Sequence, residues 1–395
     1  MPEVRAGFNL KLNLISKDRV LSEVGSYSKK VMVPAYRANN IRVPHLHQKD
    51  PSGQWLATWN DSKGSIEVRA TAQLEQIVRT IPISGVMGQV ERLRWLSNGD
   101  GWVVATPYKA WLVTKEEYGG MEVRPLRVPG LSYFEDIRVV GNYLMISTNA
   151  HRPRVFLVNV DDLSFSQLKV AGASILSASV TGKGQIVAVV RDYKQYKTGA
   201  HDEIVFWSAA AQPQIVERRR CSQKYCNIYN WTPGTQRLAY ALNRGSIVLE
   251  TEDGRTQTLQ LDRSARKNRV RVLWQNKAED KLLAANDSSL AVWDQHATLR
   301  WKWSPPATQV IRSAHFDSDD SVLVTTNTQV LRLDQGVVVE RLFDLATMNG
   351  DMARGTKLED AVPLNGGAVA FSMVRMHQNR RTSLDRKLLD LIQEF

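Results

Sequence analysis

The chain is poor in cysteine: its 395 residues hold two, Cys221 and Cys226. A small fold stapled by several disulfides is therefore excluded. The two thiols share one segment, RRRCSQKYC, and two main states fit them. They are free, as in a reducing compartment, or they close a local bridge, as in an oxidising one. Zinc fits least, because it asks for about four ligands and the neighbouring sequence offers no matching His or Cys pair. No apolar run approaches the roughly 18 residues of a membrane span. The N-terminus, MPEVRAGFNLKLNLISKDR, lacks the apolar core of a signal peptide. A cytoplasmic protein is the expectation, with a periplasmic or secreted one as the alternative if a leader has been removed. Stretches rich in Pro, Gly or Ser are missing too, so few linkers divide the chain.

Catalytic signatures are also absent. There is no G-x-S-x-G elbow, no H-E-x-x-H, no P-loop, and Gly182-Lys183-Gly184 stops short of a G-x-G-x-x-G turn. The seven His are scattered. His45 and His47 flank one residue and could share a strand face, but two ligands are too few for a metal site. Paired carboxylates such as Asp319 and Asp320 fall in turn-like sequence, where Asp serves backbone hydrogen bonds. The sequence therefore assigns no catalytic residue, no metal and no cofactor.

What the chain does have is a weak repeat. Its clearest copy is DPSGQWLATWNDSKGSIEVR from Asp50 to Arg69: a turn, a short apolar run, a second turn, then an alternating run. Matching runs begin at Trp55, Trp102, Tyr143, Ile186, Leu238, Leu282, Val322 and Ala368, at intervals of 47, 41, 43, 52, 44, 40 and 46 residues. Most follow a turn signal such as Pro51-Ser52-Gly53 or Asn98-Gly99-Asp100-Gly101, with residues that tolerate the backbone of tight hairpins. A further strand follows most copies: Ser65–Arg69, Ala110–Val113, Val155–Val158, Ile204–Trp207, Ser246–Leu249, Leu290–Trp293 and Val330–Leu333. Alternation within them, as in Ile66/Val68, predicts half-buried strands. Self-similarity at this period predicts a β-propeller with one four-stranded blade per copy.

The repeats resemble those of degenerate WD-repeat-like propellers over residues 40–374. Only one copy carries the Trp-Asp dipeptide in place, Trp293-Asp294, and none has the Gly-His opening. The fold expected is all-β, a single propeller with eight blades preferred and seven as the alternative. A ring must close or leave blade edges bare. Phe8–Ile15, with Phe8, Leu10, Leu12 and Leu14 on one face, is the candidate closing strand, and Lys29–Val33 is a second. The organisation expected is an N-terminal extension over 1–39, the propeller over 40–374, and a basic tail with an amphipathic helix over 375–395. Eleven Trp are available for blade packing, among them Trp59, Trp102, Trp111, Trp207, Trp274 and Trp293.

Lysine and arginine exceed the acids by 52 to 40, a net +12. The surplus gathers in three segments: Lys194 and Lys197 in a long hairpin of blade 4; Arg218, Arg219, Arg220 and Lys224 between blades 4 and 5; and Arg263, Arg266, Lys267 and Arg269 between blades 5 and 6. In a propeller all three lie on one face. Tyr193, Tyr196 and Tyr225 interleave with them. Such an arc suits an acidic protein surface, an anionic lipid surface, or single-stranded nucleic acid with bases stacked on the rings. The plain alternative is a solvated basic rim with no partner. In the tail, Leu384, Leu388, Leu391, Ile392 and Phe395 share one helical face, capped by Thr382 or Ser383. A helix of about 13 residues is marginal alone, so it docks on its own propeller, on a partner groove or on a membrane surface.

These readings converge on a non-enzymatic interaction scaffold, a propeller subunit of a larger assembly that meets an acidic partner through its basic face. A propeller enzyme or small-ligand receptor using the central channel is one alternative. A nucleic-acid-binding propeller is the other.

Overall fold

The computed structural model describes residues 3–16, 19–34, 47–60, 63–83, 90, 92–106, 108–116, 120–128, 134–148, 154–181, 183–192, 201–221, 230–231, 238–242, 246–250, 256–261, 270, 272–276, 278, 280–317, 321–347, 356–364 and 369–379, with the strands of 3–34 by backbone alone. Eight four-stranded antiparallel sheets make up the described chain. Seven are continuous in sequence and form blades 1 to 7 over residues 47–82, 92–126, 134–168, 174–220, 230–260, 272–303 and 311–344. In each, the strands follow chain order from one edge of the sheet to the other. First strands of neighbouring blades touch one another, which sets them nearest the centre.

The eighth sheet joins both ends of the chain. Glu3–Ser16 and Arg19–Pro34 form a hairpin, and Glu3–Ser16 also pairs with Val369–Asn379, which pairs with Thr356–Pro363. Both closing segments expected from the sequence lie in that hairpin, and Leu10 faces Val374 while Leu14 faces Ala370. Strand Arg19–Pro34 lies against Trp55–Asn60 of blade 1, and Lys49 Nζ donates 3.0 Å to Pro363 O, so this terminal sheet spans blades 7 and 1.

The apolar runs that mark the repeat are the second strands, buried on both faces. In Gln185–Arg191, Ile186, Ala188 and Val190 pack toward blade 3 while Val187 and Val189 pack toward blade 5. A strand covered on both sides reads as a continuous apolar run instead of an alternating one. Each seam from blade 1 through to the terminal sheet holds one apolar cluster. Trp59 and Ile66 meet Leu93 and Trp102 at the first seam, and Leu323 meets Leu358 and Phe371 at the last.

One boundary differs from expectation. Strand Val369–Asn379 runs on through residues 375–379, where the basic tail was expected to begin. Among the described residues the one helical element is a 3-10 turn, Leu345–Thr347. The expected helix with Leu384, Leu388, Leu391, Ile392 and Phe395 lies outside the described residues. Trp59, Trp102, Trp111, Trp207 and Trp293 are buried as expected, but Trp274, on the first strand of blade 6, is 40 % exposed.

Candidate interaction surfaces and the central polar ring

First strands bring a series of polar side chains together around the centre. Between blades 1 and 2, Trp95 donates from its backbone N to Gln48 Oε1 at 2.7 Å and from Nε1 to Gln48 O at 2.9 Å. Between blades 2 and 3, Arg92 approaches Asp136 at 3.8 Å. Arg138 donates to the same carboxylate at 2.8 Å and reaches Ser179 Oγ on blade 4 at 2.9 Å. Burial alone would raise the Asp136 carboxyl, but the charges of Arg138, Arg92 and Arg94 and the Arg138 hydrogen bond outweigh it and hold the group below the usual aspartate range. On the far side, the Trp274 and His315 rings lie 5.5 Å apart, and His315 Nε2 sits 3.1 Å from Asp360 Oδ1 of the terminal sheet. Lys49 closes the circuit, its ammonium lowered by burial and partly restored by Asp317 and Asp50. Most of these contacts join two blades, so polar groups near the centre position the sheets through directional bonds where the outer seams use apolar packing. Among the described residues no three His, Cys, Asp or Glu side chains gather to hold a metal ion.

A second polar group was missed by reading alternation alone. In blade 1, Ile66 and Val68 face blade 2, and Glu67 and Arg69 were expected on a solvent side. Instead both are buried, at 1 % and 4 % exposure. Arg69 donates to Glu67 at 2.7 Å and to Thr58 Oγ1 at 3.0 Å, and Asn60 donates to Glu67 at 2.9 Å. Burial pushes the Glu67 carboxyl up, yet hydrogen bonds from Arg69, Asn60 and Lys63 and the Arg69 charge carry it below the usual glutamate range. The available signal was Thr58, which stands opposite Glu67 in register.

The basic residues divide differently from expectation. Arg218, Arg219 and Arg220 do not sit in a loop between blades. They end the outer strand of blade 4, Ile215–Arg220, paired with Glu203, Ile204 and Val205. An edge strand has no second sheet neighbour to impose alternation, so its residues read as a plain charge run. Arg218 lies 3.4 Å from Glu203. Arg219 donates to both Glu217 carboxylate oxygens through Nε and Nη2 and stacks 4.7 Å over the Phe206 ring. The Glu217 carboxyl is lowered, first by that hydrogen bond and then, against some burial, by the charges of Arg219 and Lys183. Arg220 is exposed. Arg191 is bound to buried Asp202 by two 2.8 Å bonds. That pair joins the end of strand Gln185–Arg191 to the residue before strand Glu203–Ser208.

Lys194, Lys197, Lys224, Arg263, Arg266, Lys267 and Arg269 lie outside the described residues. Cys221 follows Arg220, is 2 % exposed and is disulfide-bonded. The chain's other cysteine, Cys226, lies outside the described residues.

No protein family model matches the sequence, and no curated protein matches it. Similarity appears at the level of structure. The Saccharomyces cerevisiae Sqt1 crystal structure superposes with a TM-score of 0.55 at 10 % identity, over 84 % of this chain and 95 % of that one. The Kluyvelomyces marxianus Hsv2 crystal structure gives a TM-score of 0.45 at 11 % identity, over 68 % and 87 %. The chain has the fold of a WD-repeat-like propeller. No helix among the described residues is long and apolar enough to cross a membrane.

Proposed function

We propose that the chain is a non-enzymatic interaction scaffold, the propeller subunit of a larger assembly. It meets an acidic partner through a basic face and engages its assembly through the C-terminal segment. The observation that supports this reading is the outer strand of blade 4. It carries three consecutive arginines at a sheet edge, with Arg218 and Arg220 exposed. Lys194, Lys197, Lys224, Arg263, Arg266, Lys267 and Arg269 belong to the same proposed face, and Leu384, Leu388, Leu391, Ile392 and Phe395 to the proposed docking helix. The likeness to Sqt1 in fold is consistent with a scaffold. The test is affinity purification from native extract followed by mass spectrometry, comparing the chain with R218E/R219E/R220E. Loss of specific partners, steeper at low salt, supports the reading. Recovery of the same partners at every salt concentration rejects it.

A receptor for a small ligand at the centre is the second reading. The His315–Asp360 contact beside the half-exposed Trp274 favours it. A thermal-shift screen of small acids and phosphates against the chain and against its His315→Ala form tests it. A ligand that stabilises the first and not the second would displace the scaffold reading.

A further inference from the structure

The outer strand of blade 7, Val337–Asp344, begins with three valines. They are 65 %, 42 % and 59 % exposed. The strand is last in its sheet, so its outward N–H and C=O groups meet no strand among the described residues. Edges of this kind invite a further strand and are usually blunted by charge, proline or shortness. Four of the other outer strands show such protection: Pro125 in blade 2, Glu217 and three arginines in blade 4, Arg300 and Lys302 in blade 6, and a length of four residues in blade 3. The first three positions of the blade 7 strand have none.

Two features shape this edge. The register with Gln329–Asp334 shifts past Val339 and again past Leu342, so the strand bulges twice. A bulge re-aims a side chain, and here three successive valines reach solvent where a regular strand would turn every second one inward. The hairpin leading in is tight, with Gln335 at φ 46° and Gly336 at φ 82°. A Cβ on Gly336 would stand 3.3 Å from Trp301 and from the Lys302 carbonyl. The hairpin therefore rests on the outer strand of blade 6, which also carries Leu299, 52 % exposed.

Charge selects the occupant. Around the patch the guanidiniums of Arg300 and Arg341 face outward, each 61 % exposed, while their carboxylates Asp294 and Asp344 are 22 % and 14 % exposed. Glu340 is held from behind by Arg332, which also binds Asp317. We infer that the Val337–Asp344 edge binds an extended segment of a partner protein with alternating apolar and acidic residues, which adds as a fifth strand to blade 7. The inference shares with the scaffold reading only the expectation of a protein partner, and it uses a surface apart from the arginines of blade 4.

The probe is a fluorescein-labelled ten-residue peptide alternating valine and glutamate, titrated against the full chain by anisotropy. Saturable binding is expected, weakened about tenfold or more by V337K/V339K, by N-methylation of alternate peptide nitrogens, and by replacing the glutamates with lysine. Because the valines are exposed, V337K/V339K keeps its fold, which its melting curve verifies. Equal binding of the N-methylated peptide or by V337K/V339K overturns the inference. So does loss of binding in R218E/R219E/R220E, which would move the peptide to blade 4. A concentration-dependent dimer in sedimentation, broken by V337K/V339K, would assign the edge to a second copy and overturn it as well.

Discussion

The two faces of blade 1 are built in opposite ways. Toward blade 2 it presents Ala57, Trp59, Ile66 and Val68 to an apolar seam. Away from blade 2 it presents Leu56, Thr58, Ser65, Glu67 and Arg69, all buried, on the side where the terminal sheet lies. Six further seams repeat the apolar pattern. Apolar packing is non-directional and accepts many partners of the right volume. A buried ion pair accepts few, because each charge must find its counterpart. The sheets that follow one another along the chain need little instruction about which neighbour to join. The sheet assembled from distant ends lies against a face whose ion pair is completed within blade 1, between Glu67 and Arg69.

The largest effect expected from breaking this contrast is at Arg69. Arg69→Ala leaves the Glu67 carboxylate buried without its main partner and costs about 3–5 kcal/mol, read from the denaturation midpoint. The double variant E67L/R69L removes both charges and should recover a large part of that loss. A double variant as unstable as the single one would show that packing, not pairing, governs this face. Next comes the apolar side. Leu144→Ala, at the fully buried seam of blades 2 and 3, costs about 2–5 kcal/mol through lost transfer energy and a cavity, with no dependence on pH.

Acid separates the two faces more finely. Because the folded Glu67 and Asp136 carboxyls lie below their ordinary values, the folded state binds fewer protons than the unfolded one. Their contribution is complete above the ordinary carboxylate values of about 4. It fades as pH falls from there through the lowered folded values. Urea titrations across that range should show E67Q with a shallower acid limb than the unaltered chain, and parallel limbs would remove Glu67 from the account. The smallest effect is expected at the arginine strand. Arg218, half exposed and 3.4 Å from Glu203, should lose less than about 1 kcal/mol on change to Ala. A larger loss would make that strand a structural element and weaken its assignment as a partner surface.

Seams were legible in the sequence because a strand buried on both faces leaves an uninterrupted apolar run, as in Ile186–Val190. Leu10, Leu12 and Leu14 marked the closing strand for a related reason: an alternating run near the terminus has to find a sheet. What escaped was polar burial. Glu67 and Arg69 occupy positions that in most strands face water, and only the pairing of Thr58 with Glu67 reveals otherwise. Arg218–Arg220 were read as loop because an outer edge exposed to solvent imposes no period. The exposure of Trp274 left no trace either, since a tryptophan reads alike in a seam and beside an opening.

The terminal sheet bears on how the ring comes into being. Leu10 pairs with Tyr27 on one edge and with Val374 on the other, so synthesis must pass through every blade before the second edge of that hairpin can be joined. Until then the newborn chain carries an open arc with unpaired backbone at its ends, and closing so long a loop is the slow, entropy-limited part of assembly.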